Sequence, residues 1–246
     1  MIDATNLMKT FSSGRKKVEA LKGVSFTANR GEVFGLLGPN GAGKTTTLRI
    51  LSTMISPTEG TAIVDGHDIR KDPAAVRRSI GFLSTETGLY DRLTPEDTCR
   101  FFGQLAGVPE ADIRKRMDVL FDRLELNRDR KRLAGDFSTG MKQKLSIARS
   151  LIHDPSVIIF DEPTNGLDVL TAKTVTDFLK EMKSQGKTVI ISTHILSVVE
   201  KLCDRFAIID LGNIVAEGTL DELTSRYDVR ELEDVFFKLV PERREA

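Results

Sequence analysis

The sequence contains no tryptophan, two cysteines and no excess of either charge, since 36 Lys and Arg residues balance 36 Asp and Glu residues. Cys99 and Cys203 lack the C-x-x-C spacing of metal sites, so we expect neither a disulfide framework nor a cysteine metal site, as suits a reducing cytosol. The balanced charge does not indicate nucleic-acid binding. The basic run 128–132 includes an acid and no aromatic, and it is interpreted as a solvated linker.

Long apolar runs are also missing. The apolar runs present, such as 157–160, are far too short to cross a bilayer. Polar residues come soon after Met1, so no signal peptide is expected. Any association with a membrane is therefore expected to go through a partner protein. The length of 246 residues and the hydrophobic content of 40% are those of an ordinary globular protein with one or two domains.

One stretch, residues 38–46, matches the phosphate-binding pattern G-x-x-x-x-G-K-[ST], and we call it the P-loop. The apolar run 32–37 before it predicts a buried strand, and 47–51 after it predicts a helix. This context disfavours a glycine-rich turn without a ligand. Glycines let backbone N–H groups surround the β- and γ-phosphates, Lys44 adds charge, and the Thr45 hydroxyl can ligate Mg²⁺. The predicted triphosphate site comprises Gly38, Pro39, Asn40, Gly41, Ala42, Gly43, Lys44, Thr45 and Thr46.

The rest of the chain alternates short apolar strands with amphipathic helices, which is typical of an α/β fold. Residues 2–30 alternate apolar and polar side chains and predict antiparallel strands joined by a loop at 12–17. From Thr94 to about residue 152 the periodicity predicts helices, so we interpret this part as a helical insert. We expect one domain, with a mixed or parallel sheet and an N-terminal antiparallel β-subdomain in a nucleotide-binding core (1–84 and 153–220), a helical subdomain (85–152) and C-terminal helices (221–246).

Two acids follow the apolar strand predicted at 156–160. Because parallel sheets bind ligands at the carboxyl ends of their strands, Asp161 is placed to hold Mg²⁺ with Thr45 through the ion's water shell. Glu162 is a candidate base for the attacking water. His194 follows another predicted strand and could sense the γ-phosphate. Each alone could be a surface acid or a strand-end histidine, but the P-loop favours the functional interpretation. The absence of an Asn-Lys-x-Asp sequence disfavours a GTPase.

A second exposed helix N-terminus, and hence a second candidate anion site, is predicted at 137–144, where Ser138 and Gly140 precede an amphipathic helix. Alone it would indicate only a helix cap. The ordered set of P-loop, helical insert, Ser-x-Gly helix start, Asp-Glu strand end, 165–168 loop and His194 is more specific. It resembles the ATP-binding cassette (ABC) ATPase family, and the resemblance covers nearly the whole chain.

The resemblance implies an ATPase that uses ATP and Mg²⁺ and is active as a head-to-tail dimer. Phe11 matches the aromatic residue that stacks on adenine. Ser138 and Gly140 match the signature residues that contact the γ-phosphate bound by a partner subunit. Asp168 ends the 165–168 loop that couples the two sites, and His194 matches the switch histidine. With Lys44 and Glu162, His194 would carry the catalytic role.

Two segments depart from the family pattern. The signature usually reads Leu-Ser-Gly-Gly-Gln, whereas the segment 137–141 reads Phe-Ser-Thr-Gly-Met. The contact made by the usual glutamine is therefore not expected. The family also places a glutamine that contacts Mg²⁺ at 84–86, and here Thr85 or Glu86 takes its place.

The implied function is that of an ATPase subunit bound to integral membrane permease subunits at the cytoplasmic face of the cell membrane, with no nucleic-acid partner. A permease helix would dock near 84–91. That stretch, together with 137–144, resembles the sodium-extruding branch of ABC exporters, and 232–239 is typical of exporters with short ATPase subunits. We therefore expect sodium export. The alternatives are a drug or other small-molecule exporter, a non-transport ABC ATPase, and a regulatory module without hydrolysis.

Overall fold

The computed structural model describes residues 1–14, 16–84 and 88–240. The N-terminal part forms an antiparallel sheet in the order β2-β1-β4-β5. Its strands are β1 (Ile2–Ser13), β2 (Lys16–Ala28), β4 (Glu59–Val64) and β5 (His67–Asp68). The predicted antiparallel strands are present. The loop predicted at 12–17 is wrong in extent, because pairing continues to Ser13 opposite Lys16. Strand pairing depends on backbone hydrogen bonds, so it can continue into residues that no longer alternate apolar and polar side chains.

The second sheet has the order β10-β9-β3-β8-β7-β6. Its strands are β3 (Val33–Leu37), β6 (Ile80–Leu83), β7 (Val157–Asp161), β8 (Thr188–Thr193), β9 (Arg205–Asp210) and β10 (Asn213–Gly218). Only β10 runs antiparallel to its neighbour, and the other pairs are parallel. The central strands β3, β7 and β8 are buried throughout, which explains their continuous apolar sequences. Their carboxyl ends meet at one edge of the sheet.

Several helices begin at polar caps that the sequence provides. Thr94 and Thr219 form capping boxes, while Asp72 and Asp168 accept hydrogen bonds from backbone N–H groups. The helices are α1 (Lys44–Leu51), α2 (Pro73–Ser79), α3 (Pro95–Leu105), α4 (Glu110–Arg123), α5 (Thr139–Leu151), α6 (Val169–Ser184), α7 (Leu196–Leu202), α8 (Leu220–Tyr227) and α9 (Leu232–Leu239). Among the described residues, no helix combines the length and apolarity needed to span a membrane.

Apolar clusters lie on both faces of the second sheet. One cluster joins this sheet to the antiparallel sheet and to α1, and it contains the stacked rings of Phe26 and Phe34, whose centroids are 5.1 Å apart. A second cluster is continuous from Phe160 of β7 through α5 and α6 to Phe121 of α4, and a third joins the sheet to α8 and α9. The helical insert therefore shares its core with the sheet and is not packed as a separate unit.

Arg130 corrects the interpretation of 128–132 as a solvated linker. Its guanidinium pairs with Glu96 of α3 and Asp118 of α4, both at 2.8 Å, and lies 5.3 Å from the ring centroid of Phe121. The residue thus connects two helices of the insert. Only the fold could reveal this, because the partners are distant in sequence.

Candidate nucleotide-binding site

The P-loop connects the carboxyl end of β3 to the first residue of α1. Gly43 caps that helix with φ of 115°, a conformation that favours glycine. A Cβ atom at this position would lie 2.7 Å from Leu21 Cδ2 and 2.9 Å from the Ala20 carbonyl oxygen. The close approach of β2 therefore requires glycine as well. Residues 39–46 line a cavity of about 400 Å³ together with Ala20, Glu162, Asn165 and His194.

Lys44 is almost completely buried at the base of this cavity, with 6% of its surface exposed. Its ammonium donates hydrogen bonds to the carbonyl oxygens of Gly38 at 2.6 Å and Pro39 at 3.2 Å. Burial lowers the pKa of Lys44, while the charges of Glu162 and Asp161 act in the opposite direction. Nζ lies 3.7 Å from Glu162 Oε1. The loop thus holds a cation next to a carboxylate, on the wall that phosphates would contact.

Asp161 ends β7 and is 1% exposed. Its Oδ1 accepts a hydrogen bond from the Ser192 hydroxyl of β8, whereas the buried Oδ2 has no hydrogen-bond partner among the described residues. A buried, unpaired carboxylate oxygen is costly unless something binds it, and carboxylate and hydroxyl oxygens are ligands that Mg²⁺ prefers. Asp161 and Thr45 therefore fit a magnesium ion.

No cluster of three or more His, Cys, Asp or Glu side chains in the described ranges could hold a metal ion on its own. This agrees with the way Mg²⁺ is bound in nucleotide sites, where one or two protein oxygens are supplemented by substrate phosphates and water. The metal site is thus expected to depend on bound nucleotide.

Glu162 follows Asp161 with φ of 50°, in the left-handed region that few residues other than glycine adopt. Its backbone N–H donates to the Ser192 carbonyl oxygen at 3.1 Å and to Ser192 Oγ at 3.2 Å. Oε1 lies 2.9 Å from Nδ1 of His194, and the buried Oε2 has no hydrogen-bond partner in the described part of the chain. The site therefore presents a carboxylate oxygen, oriented by a histidine, beside the P-loop. Such a group can accept a proton from water.

Phe11 belongs to β1 of the antiparallel sheet. It pairs with Val18 in the β1–β2 hairpin, is 42% exposed and has the Lys9 ammonium 5.1 Å from its ring centroid. It does not line the P-loop cavity. The predicted stacking on adenine stays a prediction.

The signature residues also lie outside the cavity of their own chain. Ser138 is exposed and caps α5, where its hydroxyl accepts a hydrogen bond from the Met141 N–H at 3.3 Å. Gly140 packs against α6, since a Cβ atom there would lie 3.1 Å from Thr171 Cγ2. Asp168 caps α6. The hydrogen bond from the Thr171 hydroxyl is the main cause that lowers the pKa of Asp168. The structure thus brings Ser138, Gly140 and Asp168 near one another but not to the P-loop cavity.

Two residues at this site, Ser192 and Gln143, were not predicted from sequence, while Asn165 belongs to the 165–168 loop that the resemblance indicated. Ser192 bridges Asp161 and Glu162, Asn165 lines the cavity, and Gln143 Nε2 donates to the Pro163 carbonyl oxygen at 2.9 Å. A signal for Ser192 was present, because a buried polar residue follows the apolar run of β8. No local pattern indicated Gln143, whose bond joins α5 to the segment after Glu162.

The predicted replacements for the family's Mg²⁺-contacting glutamine, Thr85 and Glu86, lie outside the described residues. Elsewhere, a groove of about 930 Å³ lies between the helical insert and the core. Its apolar lining includes Tyr90 and Leu105, which are 59% and 73% exposed. Arg77 and Arg78 of α2 also line the groove. An apolar groove of this size is a candidate surface for a partner.

Comparisons with known proteins identify similar sequences and folds. A family model described as "ABC transporter" matches residues 21–165, which is more than half of the chain. The ABC transporter ATP-binding protein NatA of Bacillus subtilis is 41% identical over 242 residues, which cover 98% of each chain. The doxorubicin resistance ATP-binding protein DrrA of Mycobacterium tuberculosis is 41% identical over 233 residues, or 95% of this chain and 68% of DrrA. A dimeric ATP-binding cassette in a post-hydrolysis state, bound to ADP and Pi, superposes with a TM-score of 0.82 at 28% identity, over 89% of this chain and 99% of that chain.

Proposed function

Since the chain belongs to the ABC transporter family of ATP-binding subunits, we propose that it drives export across the cytoplasmic membrane, with sodium ions as the substrate. The chain binds and hydrolyses ATP, as the family does. One observation in particular supports ATP hydrolysis by this chain. Glu162, held by His194, presents a buried and unpartnered carboxylate oxygen beside the P-loop.

The proposed roles follow from the positions of the side chains. Lys44 exchanges its contacts with Gly38 and Pro39 for the β- and γ-phosphates. Thr45 and Asp161 would hold Mg²⁺, which neutralises phosphate charge when bound. Glu162 orients and deprotonates the attacking water, and His194 keeps the Glu162 carboxylate in place.

The second wall of the site comes from another ATPase subunit. Ser138 and Gly140 do not line the cavity of their own chain, although α5 presents Ser138 at an exposed N-terminus. A helix N-terminus is a ready site for an anion. A head-to-tail dimer would place these residues on the γ-phosphate bound by the partner. The related cassette bound to ADP and Pi is dimeric, which supports this arrangement.

The groove near Tyr90 and Leu105 is the proposed docking surface for a membrane permease subunit. Its apolar lining suits a cytoplasmic helix of such a subunit, and its basic edge, Arg77 and Arg78, suits an acidic residue on that helix. Through this contact the chain would sit at the cytoplasmic face of the membrane.

Sodium export is supported by the match to NatA, which extends over nearly the full length of both chains. Drug export is the second candidate, since DrrA matches with equal identity. The test is transport by inside-out vesicles that contain this chain and its membrane permease subunits. We expect ATP-driven uptake of ²²Na⁺ and no quenching of doxorubicin fluorescence, with vesicles carrying Glu162→Gln as the control. Doxorubicin uptake without sodium uptake would overturn the sodium proposal, and absence of ATP turnover would overturn the wider one.

A further inference from the structure

Ser192 occupies a special position in the sheet. β7 and β8 are parallel neighbours, and their register places Ser192 directly opposite Asp161, the last residue of β7. Ser192 is fully buried, at 0% exposure, and directly follows the apolar run 189–191 of β8. A hydroxyl in such a place requires hydrogen-bond partners.

The Ser192 hydroxyl has hydrogen-bond partners in both Asp161 and Glu162. The N–H of Glu162 can only donate and the Asp161 carboxylate can only accept, so the direction of the chain is fixed. Glu162 N–H donates to Ser192 Oγ at 3.2 Å, and the Ser192 hydroxyl donates to Asp161 Oδ1. The Ser192 hydroxyl therefore both accepts and donates a hydrogen bond. It bonds to Oδ1 of Asp161, while the buried Oδ2 has no hydrogen-bond partner in the described part of the chain.

The same residue also holds the backbone of Glu162. Besides the bond to Oγ, Glu162 N–H donates to the carbonyl oxygen of Ser192 at 3.1 Å. Glu162 needs such support, because its φ of 50° is unfavourable for a residue with a long side chain. One serine thus orients a proposed metal-binding carboxylate and the segment that carries the proposed base.

We propose that Ser192 is a positioning residue that presents Asp161 Oδ2 to the magnesium ion of bound ATP. This inference rests on the proposed role of Asp161 in the ATP site. Residues that hydrogen-bond a metal-binding carboxylate set its orientation, and their loss typically lowers metal affinity by about 10–100-fold. Removal of the Ser192 hydroxyl frees the Asp161 side chain to rotate and leaves Oδ1 without its partner.

The experiment measures the affinity of the full chain for a fluorescent, non-hydrolysable ATP analogue with Mg²⁺ and in EDTA. We expect Mg²⁺ to increase the affinity of the wild type. In Ser192→Ala, the affinity in EDTA stays within about twofold of wild type while the enhancement by Mg²⁺ falls by about tenfold or more. Electron paramagnetic resonance of Mn²⁺ in the same complex gives a second readout, with weaker retention of the ion in the variant.

Ser156→Ala is the matched control, because the Ser156 hydroxyl also donates to a carboxylate, that of Asp65, just before the other end of β7. It is expected to leave the Mg²⁺ enhancement unchanged. Where Ser192→Ala fails to fold, Ser192→Cys provides a similar shape with a weak donor. An unchanged enhancement in either folded Ser192 variant, or an equal loss in Ser156→Ala, would overturn the inference. If the wild type shows no enhancement, the proposed metal site fails first, and the inference fails with it.

Discussion

Replacement of Glu162 by glutamine is expected to separate ATP binding from ATP hydrolysis. The substitution keeps the size of the side chain and removes its charge and basicity. A general base contributes about 10²–10⁴-fold to a rate. That range corresponds to about 3–5 kcal/mol of activation free energy. We therefore expect ATP turnover by Glu162→Gln to fall by at least about 10²-fold.

The affinity for MgATP, in contrast, should not fall in this variant. Glu162 Oε1 lies 3.7 Å from Lys44 Nζ, and an ion pair at this distance is worth up to about 4 kcal/mol in a partly buried site. ATP phosphates compete with the Glu162 carboxylate for the Lys44 ammonium. Removal of the carboxylate charge should therefore leave the affinity for MgATP equal or higher. Phosphate release and equilibrium binding measure the two quantities, and the exposed Glu200→Gln is the control. A loss of turnover below about tenfold, or a parallel loss of affinity, would refute the role of Glu162.

Three further predictions concern the stability and reactivity of the chain. Gly38→Ala places a Cβ atom 2.2 Å from the Ile209 carbonyl oxygen, so urea unfolding should show a loss of about 1–3 kcal/mol, and wild-type stability would contradict the packing described. Burial raises the pKa of Cys99 to about 12, so iodoacetamide at pH 8 should label this thiol only after unfolding, and labelling of the native chain would contradict its burial. The hydrogen bond from the Ser156 hydroxyl lowers the pKa of Asp65 in the folded chain. The ionised Asp65 therefore contributes its full stability above the ordinary carboxyl pKa of about 4. This contribution is lost as the pH falls through the lower pKa of the folded state. Asp65→Asn should therefore cost about 1 kcal/mol at pH 7 and progressively less below pH 4 in urea unfolding, whereas a cost independent of pH would contradict this linkage.

The P-loop could be predicted from sequence because its parts are contiguous. Strand, glycine loop and helix occupy one short stretch, and local chemistry determines how they connect. The two acids after β7 could also be predicted, since an apolar strand that ends in carboxylates is a local pattern. What brings these segments together is the sheet order, in which β8 lies between β3 and β7. No spacing along the chain encodes that order.

The contacts that orient the site could not be predicted for the same reason. Ser192 contacts Asp161 across 31 residues of sequence, and Gln143 of α5 contacts Pro163 in the segment after β7. Phe11 shows the opposite case, because the alternating pattern predicted a strand residue but did not specify whether its ring lines the cavity. Where a hairpin points depends on packing, which the alternation of side chains does not specify.

We propose that this chain supplies half of an ATP site and that a second subunit completes the site through Ser138. The most direct test is Ser138→Asp, because aspartate preserves the cap of α5 and adds a negative charge that would face the partner's γ-phosphate. Ser138→Asn is the control for side-chain size. We expect nucleotide binding by the isolated chain to stay within about twofold of wild type, while ATP hydrolysis falls by about 10²-fold or more in the aspartate variant. Equal losses of binding and hydrolysis would mean that Ser138 acts within its own chain, and undiminished hydrolysis would mean that it has no part in the site.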